Sequence, residues 1–180
     1  MTQLPFVYRD QFQFQRSHAF GKVLNVGCND DSVGFRHMGG INVDLFKVDP
    51  VTEKPNPIHA FADSRHLPFR HTFDAVVLGE ILEHMEERDA VWTIFEAKYA
   101  LRSGGRVVIT MPHDGRRELG TQPEIEPGKE WYAPGIHAFH YRMISREELF
   151  GWIRKAGLRV LAWGQIDYPW GVSGTGAIAC

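Results

Sequence analysis

The chain has 180 residues, of which 43% are hydrophobic and 23% charged, a composition typical of an ordinary globular protein. Its 20 basic and 22 acidic residues give a net charge of −2. The chain therefore lacks the excess positive charge with which proteins bind nucleic acid or anionic membranes. Two cysteines, Cys28 and Cys180, predict no disulfide framework and favour a reducing compartment. We find no signal-peptide pattern, and no apolar run approaches the ~20 residues that span a bilayer. We therefore expect a single domain over residues 1–180, in a cytoplasmic monomer or small homo-oligomer.

Five short apolar runs predict buried β-strands. They are Lys22–Val26, Ile41–Asp44, Ile58–Ala62, Phe73–Leu78 and Arg106–Thr110. Their hydrophobicity is continuous rather than alternating, which is typical of a parallel sheet covered by helices on both faces. Residues 1–20, before the first run, are expected to form only a short N-terminal arm.

Spacing and capping patterns predict two helices. In Glu80–Leu101, apolar residues recur every three or four positions and so share one helical face. This helix is expected to end at Ser103–Gly105, where a glycine can adopt the left-handed cap conformation. Ser145 and Glu148 form the pattern of a capping box, which predicts a second helix through Ala156.

The end of the chain completes the predicted sheet. Leu158–Ile166 and Gly176–Cys180 predict two final strands that pair antiparallel. The alternation of strands and helices predicts an α/β fold, a doubly wound, mostly parallel sheet of seven strands with the last one antiparallel. The irregular segment His113–Ile144 is too long for a simple connection and predicts a lid or binding wall on the substrate side.

The loop after Val26 is the first candidate site, because ligands of such sheets bind at the carboxyl ends of the strands. Gly27–Asp31 has one glycine where a dinucleotide loop has three, and its carboxylates would repel phosphate. S-adenosylmethionine, which carries a sulfonium and an ammonium but no phosphate, fits this loop better. Asn29 can adopt a positive φ in place of a glycine. A plain strand-to-helix turn capped by Asp31 or Ser32 explains the same residues.

An ordered series of motifs follows this loop. They are Asp44 at the end of the next strand, Asp63–Phe69 (DSRHLPF), Phe73–Val77 (FDAVV), Leu82–Met85 (LEHM) and Leu101–Gly105 (LRSGG). In this order they resemble the class I S-adenosylmethionine-dependent methyltransferases, especially their small-molecule branch. The similarity covers residues 23–112 and is looser from Ser145 onwards. The resemblance implies a Rossmann-like methyltransferase fold and methyl transfer to a small molecule or small group by direct in-line displacement.

The resemblance also implies a cofactor site in the loops after the first four buried strands. Gly27 and its neighbours would face the methionine part, Asp44 would hold the ribose hydroxyls and Asp63 would accept from the adenine amino group. The implied S-adenosyl-L-methionine-binding residues are Asn25, Gly27, Cys28, Asn29, Asp44, Leu45, Asp63, Ser64, Gly79 and Glu80. Asn25 replaces the acidic residue that the family usually carries at this position, so the cofactor ammonium would meet a neutral acceptor there.

The acceptor side is predicted from histidines and aromatic residues. His113, directly after the fifth buried strand, is the candidate catalytic base, needed only where the acceptor must lose a proton. The candidate substrate-binding residues are His84, Tyr132, His137, His140 and Tyr141. His137 and His140 have the spacing of two metal ligands on a helix, but Pro134 disfavours a helix and no third ligand lies nearby, so no metal is predicted. Loop packing explains His113 and the aromatic segment equally well.

Other functions remain open. A nicotinamide-dependent oxidoreductase uses the same kind of sheet, although the acidic, glycine-poor loop disfavours it. A non-catalytic S-adenosylmethionine-binding or assembly module is favoured by Asn25, Asn29 and Asp31, which depart from the family pattern. Methylation of nucleic acid is disfavoured, because Gly79–Leu82 lacks a Pro-Pro-aromatic tetrad and the chain has no basic stripe.

Overall fold

The computed structural model describes residues 1–28, 40–45, 58–112, 144–167 and 173–180. In these residues eight strands form one sheet: β1 (Thr2–Tyr8), β2 (Val23–Val26), β3 (Ile41–Asp44), β4 (Ala60–Phe61), β5 (Phe73–Gly79), β6 (Leu101–Pro112), β7 (Val160–Asp167) and β8 (Ser173–Ala179). The α-helices are α1 (Gln11–His18), α2 (Glu87–Ala100) and α3 (Arg146–Lys155), and Leu82–His84 forms one turn of 3-10 helix. No helix in the described residues is both long and apolar enough to cross a membrane.

The sheet order is β1-β7-β8-β6-β5-β2-β3-β4. β8 runs antiparallel to its two neighbours, β6 and β7, and the other pairings of the described strands are parallel. The prediction of a mostly parallel α/β sheet with an antiparallel last strand is therefore confirmed. β2 has β3 on one side and β5 on the other, so strand order reverses there, and ligands of open α/β sheets bind at such a position.

The N-terminal residues contribute more than the short arm that we predicted. β1 pairs in parallel with β7 at one edge of the sheet, which adds an eighth strand to the seven predicted ones. Pro5 hides this strand in the sequence, because proline is tolerated only at sheet edges and similar positions. α1 follows at once, and the side chain of Asp10 caps it by accepting a hydrogen bond from the Gln13 N–H at 2.7 Å.

The helix predicted over Glu80–Leu101 is shorter in the structure, where α2 begins only at Glu87. Glu80 has a φ of +55°, a left-handed conformation that does not continue into a right-handed helix. The expected glycine cap is also wrong. Gly104 has a φ of +78°, but it lies in the irregular first part of β6, and α2 ends at Ala100 with Leu101 already extended.

The predicted capping box of α3 is confirmed. Ser145 Oγ accepts a hydrogen bond from Glu148 N at 3.2 Å, and Glu148 Oε2 accepts one from Ser145 N at 3.0 Å. Gly157 follows the helix with a φ of +76°, the conformation expected after a helix C-terminus. Both ends of this helix are therefore fixed by local sequence.

Apolar residues cover both faces of the sheet. On one face, which we call the α2–α3 face, buried side chains of α2 and α3 pack on residues such as Leu24, Val76 and Ile109. On the other, which we call the α1 face, Phe14 of α1 packs with residues such as Val77. Helices on both faces explain why successive residues of β2 and β5 are buried and do not alternate with exposed ones.

Candidate functional site

Four neighbouring parallel strands end along one edge of the sheet. In spatial order they are β5, β2, β3 and β4, and the residues at or just after their carboxyl ends are Glu80, Gly27, Asp44 and Asp63. Because neighbouring strands lie about 4.8 Å apart, this row spans roughly 14 Å. The fold thus brings four of the implied cofactor residues together in the shape of an extended site.

Gly27 makes a tight turn at the end of β2. Its φ is +67°, and a Cβ added there would lie 2.8 Å from Cδ1 of Ile81. Its N–H donates to the carbonyl oxygen of Val43 at 2.9 Å, and the N–H of the buried residue Cys28 donates to the same oxygen at 3.4 Å. The positive φ therefore favours glycine at this position. Cys28 and Cys180 are not joined by a disulfide.

Asn25 lies next to a second asparagine that the sequence analysis did not single out. Its Nδ2 donates to Oδ1 of Asn42 at 3.3 Å, and both side chains are buried. Asn25 is also the direct neighbour of Val77 on β5, so its side chain lies on the α1 face. Since one N–H of this amide is used by Asn42, the oxygen is the group that Asn25 can offer to a cation.

Asp44 is the last residue of β3 and is half-buried, as is Leu45 after it. The carbonyl oxygen of Asp44 accepts a hydrogen bond from Ala62 N at 3.0 Å, and Asp44 pairs in register with Phe61 of β4. These contacts fix the backbone without the carboxylate. The backbone contacts alone therefore hold this end of β3 beside β4.

Asp63 is held by a neighbour that we did not predict, Arg65. Oδ1 of Asp63 accepts from the backbone N–H of Arg65 at 2.9 Å and from Nε at 3.0 Å, while Oδ2 accepts from Nη2 at 2.8 Å. Nη1 of Arg65 donates to Oδ2 of Asp89 on α2 at 2.9 Å. Burial alone would raise the pKa of Asp63, but the hydrogen bonds and charge of Arg65 outweigh it and hold the pKa below its usual value.

Ser64, the next residue, bonds to α2. Its hydroxyl forms a 3.2 Å hydrogen bond with the hydroxyl of Thr93 on α2, and both residues are buried. The hydroxyl of this predicted cofactor contact is therefore already bonded to α2.

Glu80 and Glu83 form a carboxyl pair just after β5. Glu80 follows Gly79 with its strained φ of +55°, and its N–H donates to the carbonyl oxygen of Thr110 at 3.0 Å. Glu83 is fully buried; burial raises the pKa of its carboxyl, and the charge and hydrogen bond of Glu80 raise it further. His84, the predicted substrate contact, is half-buried directly after this pair.

This pair predicts an unusual pH dependence of stability. In the unfolded chain, Glu83 loses its proton above its usual pKa of about 4.3. The folded chain keeps this proton to a higher pH. Between the unfolded and the folded pKa of Glu83, the free energy of unfolding therefore falls as the pH rises. Glu83→Gln, which mimics the protonated acid, should remove this fall, with a slope of up to about 1.4 kcal/mol per pH unit. Urea unfolding between pH 4.5 and 8 measures it. The exposed Glu86→Gln is the control, and parallel curves for wild type and Glu83→Gln would contradict a raised pKa.

Gln15 of α1 reaches the same edge from the α1 face, and sequence reasoning missed it. Its Nε2 donates to Oγ1 of Thr110 at 2.6 Å, and a Cβ added to Gly79 would lie 2.3 Å from that nitrogen. The side chain is buried. The only sequence signal is the spacing of Gln11 and Gln15, which places two glutamines on the helical face that also carries Phe14.

Several predicted site residues lie outside the described residues. They are Asn29, His113, Tyr132, His137, His140 and Tyr141. Among the residues that the structure describes, no group of three histidine, cysteine or carboxylate side chains could hold a metal ion.

Comparisons with known proteins agree with this fold. A family model described as a methyltransferase domain matches residues 7–162, and the chain belongs to this family. No curated protein matches the chain.

Solved structures of the same fold include a 1,6-didemethyltoxoflavin-N1-methyltransferase from Burkholderia thailandensis, solved with 1,6-didemethyltoxoflavin and S-adenosylhomocysteine. Its TM-score is 0.66 at 18% identity, over 94% of this chain and 75% of that one. An S-adenosylmethionine-dependent methyltransferase from Clostridium acetobutylicum gives 0.63 at 13% identity, over 88% and 82%. The [4+2]-cyclase SpnF gives 0.61 at 15% identity, over 94% and 79%. Such low identities establish the fold alone, and the sequence-based resemblance to class I S-adenosylmethionine-dependent methyltransferases is confirmed.

Proposed function

We propose that the protein transfers a methyl group from S-adenosylmethionine to a small molecule, or to a small group on a larger one, by direct in-line displacement. The observation that carries this proposal is the row of Gly27, Asp44, Asp63 and Glu80 along the ends of four adjacent parallel strands. We further propose that it acts as a cytoplasmic monomer or small homo-oligomer. The family membership of the chain supports the reaction class.

The chemistry of this row suits S-adenosylmethionine. The side chains of Asp44, Asp63 and Glu80 are all hydrogen-bond acceptors. The arginine beside the row, Arg65, is paired with two carboxylates. An acidic row favours hydroxyl, amino and cationic groups over phosphates, which argues against a nicotinamide dinucleotide.

In this proposal each element binds one part of the cofactor. Asp44 accepts from the ribose hydroxyls, Asp63 accepts from the adenine amino group, and the oxygen of Asn25 accepts from the ammonium near Gly27. Bound S-adenosylmethionine supplies a methyl group on a positively charged sulfur, so the protein has mainly to align the acceptor and exclude water. Glu80 lies at the β5 end of the row, where we place the methyl acceptor.

The direct test is calorimetric titration of the purified protein with S-adenosylmethionine and S-adenosylhomocysteine, together with thermal unfolding at the same ligand concentrations. We expect binding heat and a higher midpoint of unfolding with both ligands. Neither heat nor stabilisation with either ligand would overturn the proposed function.

The acceptor side is proposed from sequence. We assign acceptor binding to residues 113–144, with Tyr132, His137, His140 and Tyr141 as contacts, and proton removal to His113 where the acceptor carries a proton. That the Burkholderia thailandensis enzyme was solved with 1,6-didemethyltoxoflavin bound supports a small-molecule acceptor.

Replacing His113 by alanine should lower the rate of methyl transfer by about 10²- to 10⁴-fold, the usual contribution of a general base. The affinity for S-adenosylhomocysteine should stay within a few-fold of wild type. The measurement is the release of S-adenosylhomocysteine with an acceptor identified by screening. His71→Ala is the control, because His71 lies just before the amino end of β5, away from the carboxyl edge of the sheet. Equal rates for wild type and His113→Ala would show that no base acts there.

A second candidate is a non-catalytic S-adenosylmethionine-binding or assembly module. Asn25 favours it, because a neutral amide there gives the cofactor ammonium a weaker, uncharged partner. A fold shared with the [4+2]-cyclase SpnF is consistent with uses other than methyl transfer. Cofactor binding without S-adenosylhomocysteine release across a broad panel of small acceptors would favour this candidate.

A further inference from the structure

Asp63 has little hydrogen-bonding capacity left once Arg65 is bound to it. An ionised carboxylate offers about four lone-pair positions. Within the described residues, three N–H groups of Arg65 bond to it: the backbone N–H to Oδ1, Nη2 to Oδ2, and Nε to both, at 3.0 Å from Oδ1 and 3.2 Å from Oδ2. Three N–H groups against about four lone-pair positions leave room for one further donor, and the side chain keeps 22% of its surface exposed.

Arg65 is itself fixed from the other side. Its Nη1 donates to Asp89 of α2 at 2.9 Å, and Asp89 is held in the helix that packs on the α2–α3 face. The side chain of Arg65 is only 17% exposed, and its pairing with two carboxylates raises its pKa further above the physiological range. The guanidinium is a planar fork, so two bonded carboxylates define its orientation, and through it the orientation of Asp63.

We propose that Arg65 is a positioning residue that turns the last acceptor position of Asp63 towards the adenine amino group and thereby makes the site selective for adenine over hypoxanthine. This inference rests on the proposed function. It assigns the selectivity to a fixed carboxylate direction, because a carboxylate that is free to rotate can turn away from a base that lacks the amino donor. Hypoxanthine presents a carbonyl oxygen at that position, and the fixed Asp63 would face it with another acceptor.

The test compares the affinities for S-adenosylhomocysteine and for S-inosylhomocysteine, the analogue with hypoxanthine in place of adenine. Wild type should prefer the adenine ligand by about 30-fold or more, since a site that hydrogen-bonds a donor rejects ligands without it. In Arg65→Gln the affinity for S-adenosylhomocysteine should fall about fivefold, and the preference should fall to about threefold or less. Asp63→Asn, which replaces one acceptor oxygen by a donor, should abolish the preference.

Matched variants separate positioning from folding. Arg88→Gln is the control, because Arg88 is 87% exposed and contacts the same Asp89 only at 3.3 Å through Nε. It should retain both affinities. Arg65→Lys keeps the charge without the fork, so it should lose the preference as Arg65→Gln does, and it provides a second variant if Arg65→Gln does not fold. Circular dichroism and thermal unfolding check each variant.

The outcomes distinguish this inference from the proposed function. A wild type that binds neither ligand overturns both. A wild type that binds S-adenosylhomocysteine, with unchanged affinity and preference in folded Arg65→Gln or Arg65→Lys, overturns the role of Arg65 and leaves the proposed function standing. A reduced affinity with an unchanged preference also overturns it, because a merely structural arginine would have that effect.

Discussion

Replacing Phe14 by alanine is expected to lower the free energy of unfolding by about 3–5 kcal/mol. Phe14 is fully buried on the α1 face, where its ring lies 4.8 Å from that of Tyr8 in an edge-to-face arrangement. It also fits against two glycines: an added Cβ would lie 2.4 Å from the ring at Gly176 and 3.4 Å from it at Gly164. Since β7 and β8 have no side chain at these positions to fill the cavity, little relaxation can offset the loss. Urea unfolding followed by circular dichroism measures the change.

Phe12→Ala is the matched control, because Phe12 lies on the same helix and is only partly buried. It should cost less than half as much. Gly176→Ala should destabilise wild type through contact with the Phe14 ring, yet cost less in the Phe14→Ala background, where the space is open. Similar losses for Phe12→Ala and Phe14→Ala would contradict the idea that α1 is anchored by this one ring.

The central sheet could be predicted because its strands are buried on both faces. Strands of this kind carry continuous apolar runs in place of alternating apolar and polar residues. Both ends of Ile41–Asp44 were predicted correctly. β1 could not be predicted, because its register with β7 is a contact between residues about 160 positions apart and its own pattern contains Pro5. The start of α2 was wrong for a local reason, the left-handed backbone at Glu80, which helical periodicity does not report.

The residues of the candidate site were likewise predicted only in part from the sequence. The order of the strands brings Gly27, Asp44 and Asp63 together; the predicted strand ends pointed to Gly27 and Asp44, and the family resemblance implied Asp63. Asn42, the partner of Asn25, and Arg65, the partner of Asp63, were missed, although Asn42 precedes Asp44 by two residues on the same face of β3 and Arg65 follows Asp63 by two. An ion pair to Asp89 cannot be inferred from sequence, because it depends on how α2 packs against the loop after β4.

Asp44→Ala is expected to weaken the binding of S-adenosylhomocysteine by about 1.5–3 kcal/mol, or roughly ten- to 150-fold, because it removes a charged acceptor from two ribose hydroxyls. The fold should survive, since the backbone bond from Ala62 to the carbonyl oxygen of Asp44 is kept in the variant. The half-buried position of Asp44 between Gly27 and Asp63 places the carboxylate where water screens it less than at the open surface. Calorimetric titration gives the two dissociation constants.

Asp167→Ala is the control for this prediction, because Asp167 is an exposed carboxylate that also ends a strand at the carboxyl edge. It belongs to β7, five strands away from β3 and so about 24 Å along the sheet. Its loss should leave the dissociation constant unchanged. Asp44→Asn should lie between wild type and Asp44→Ala, since the amide keeps one acceptor oxygen but loses the charge. If wild type and a folded Asp44→Ala bound S-adenosylhomocysteine equally well, Asp44 would only end a strand and would not bind the ribose. Another residue of the row would then have to bind the ribose.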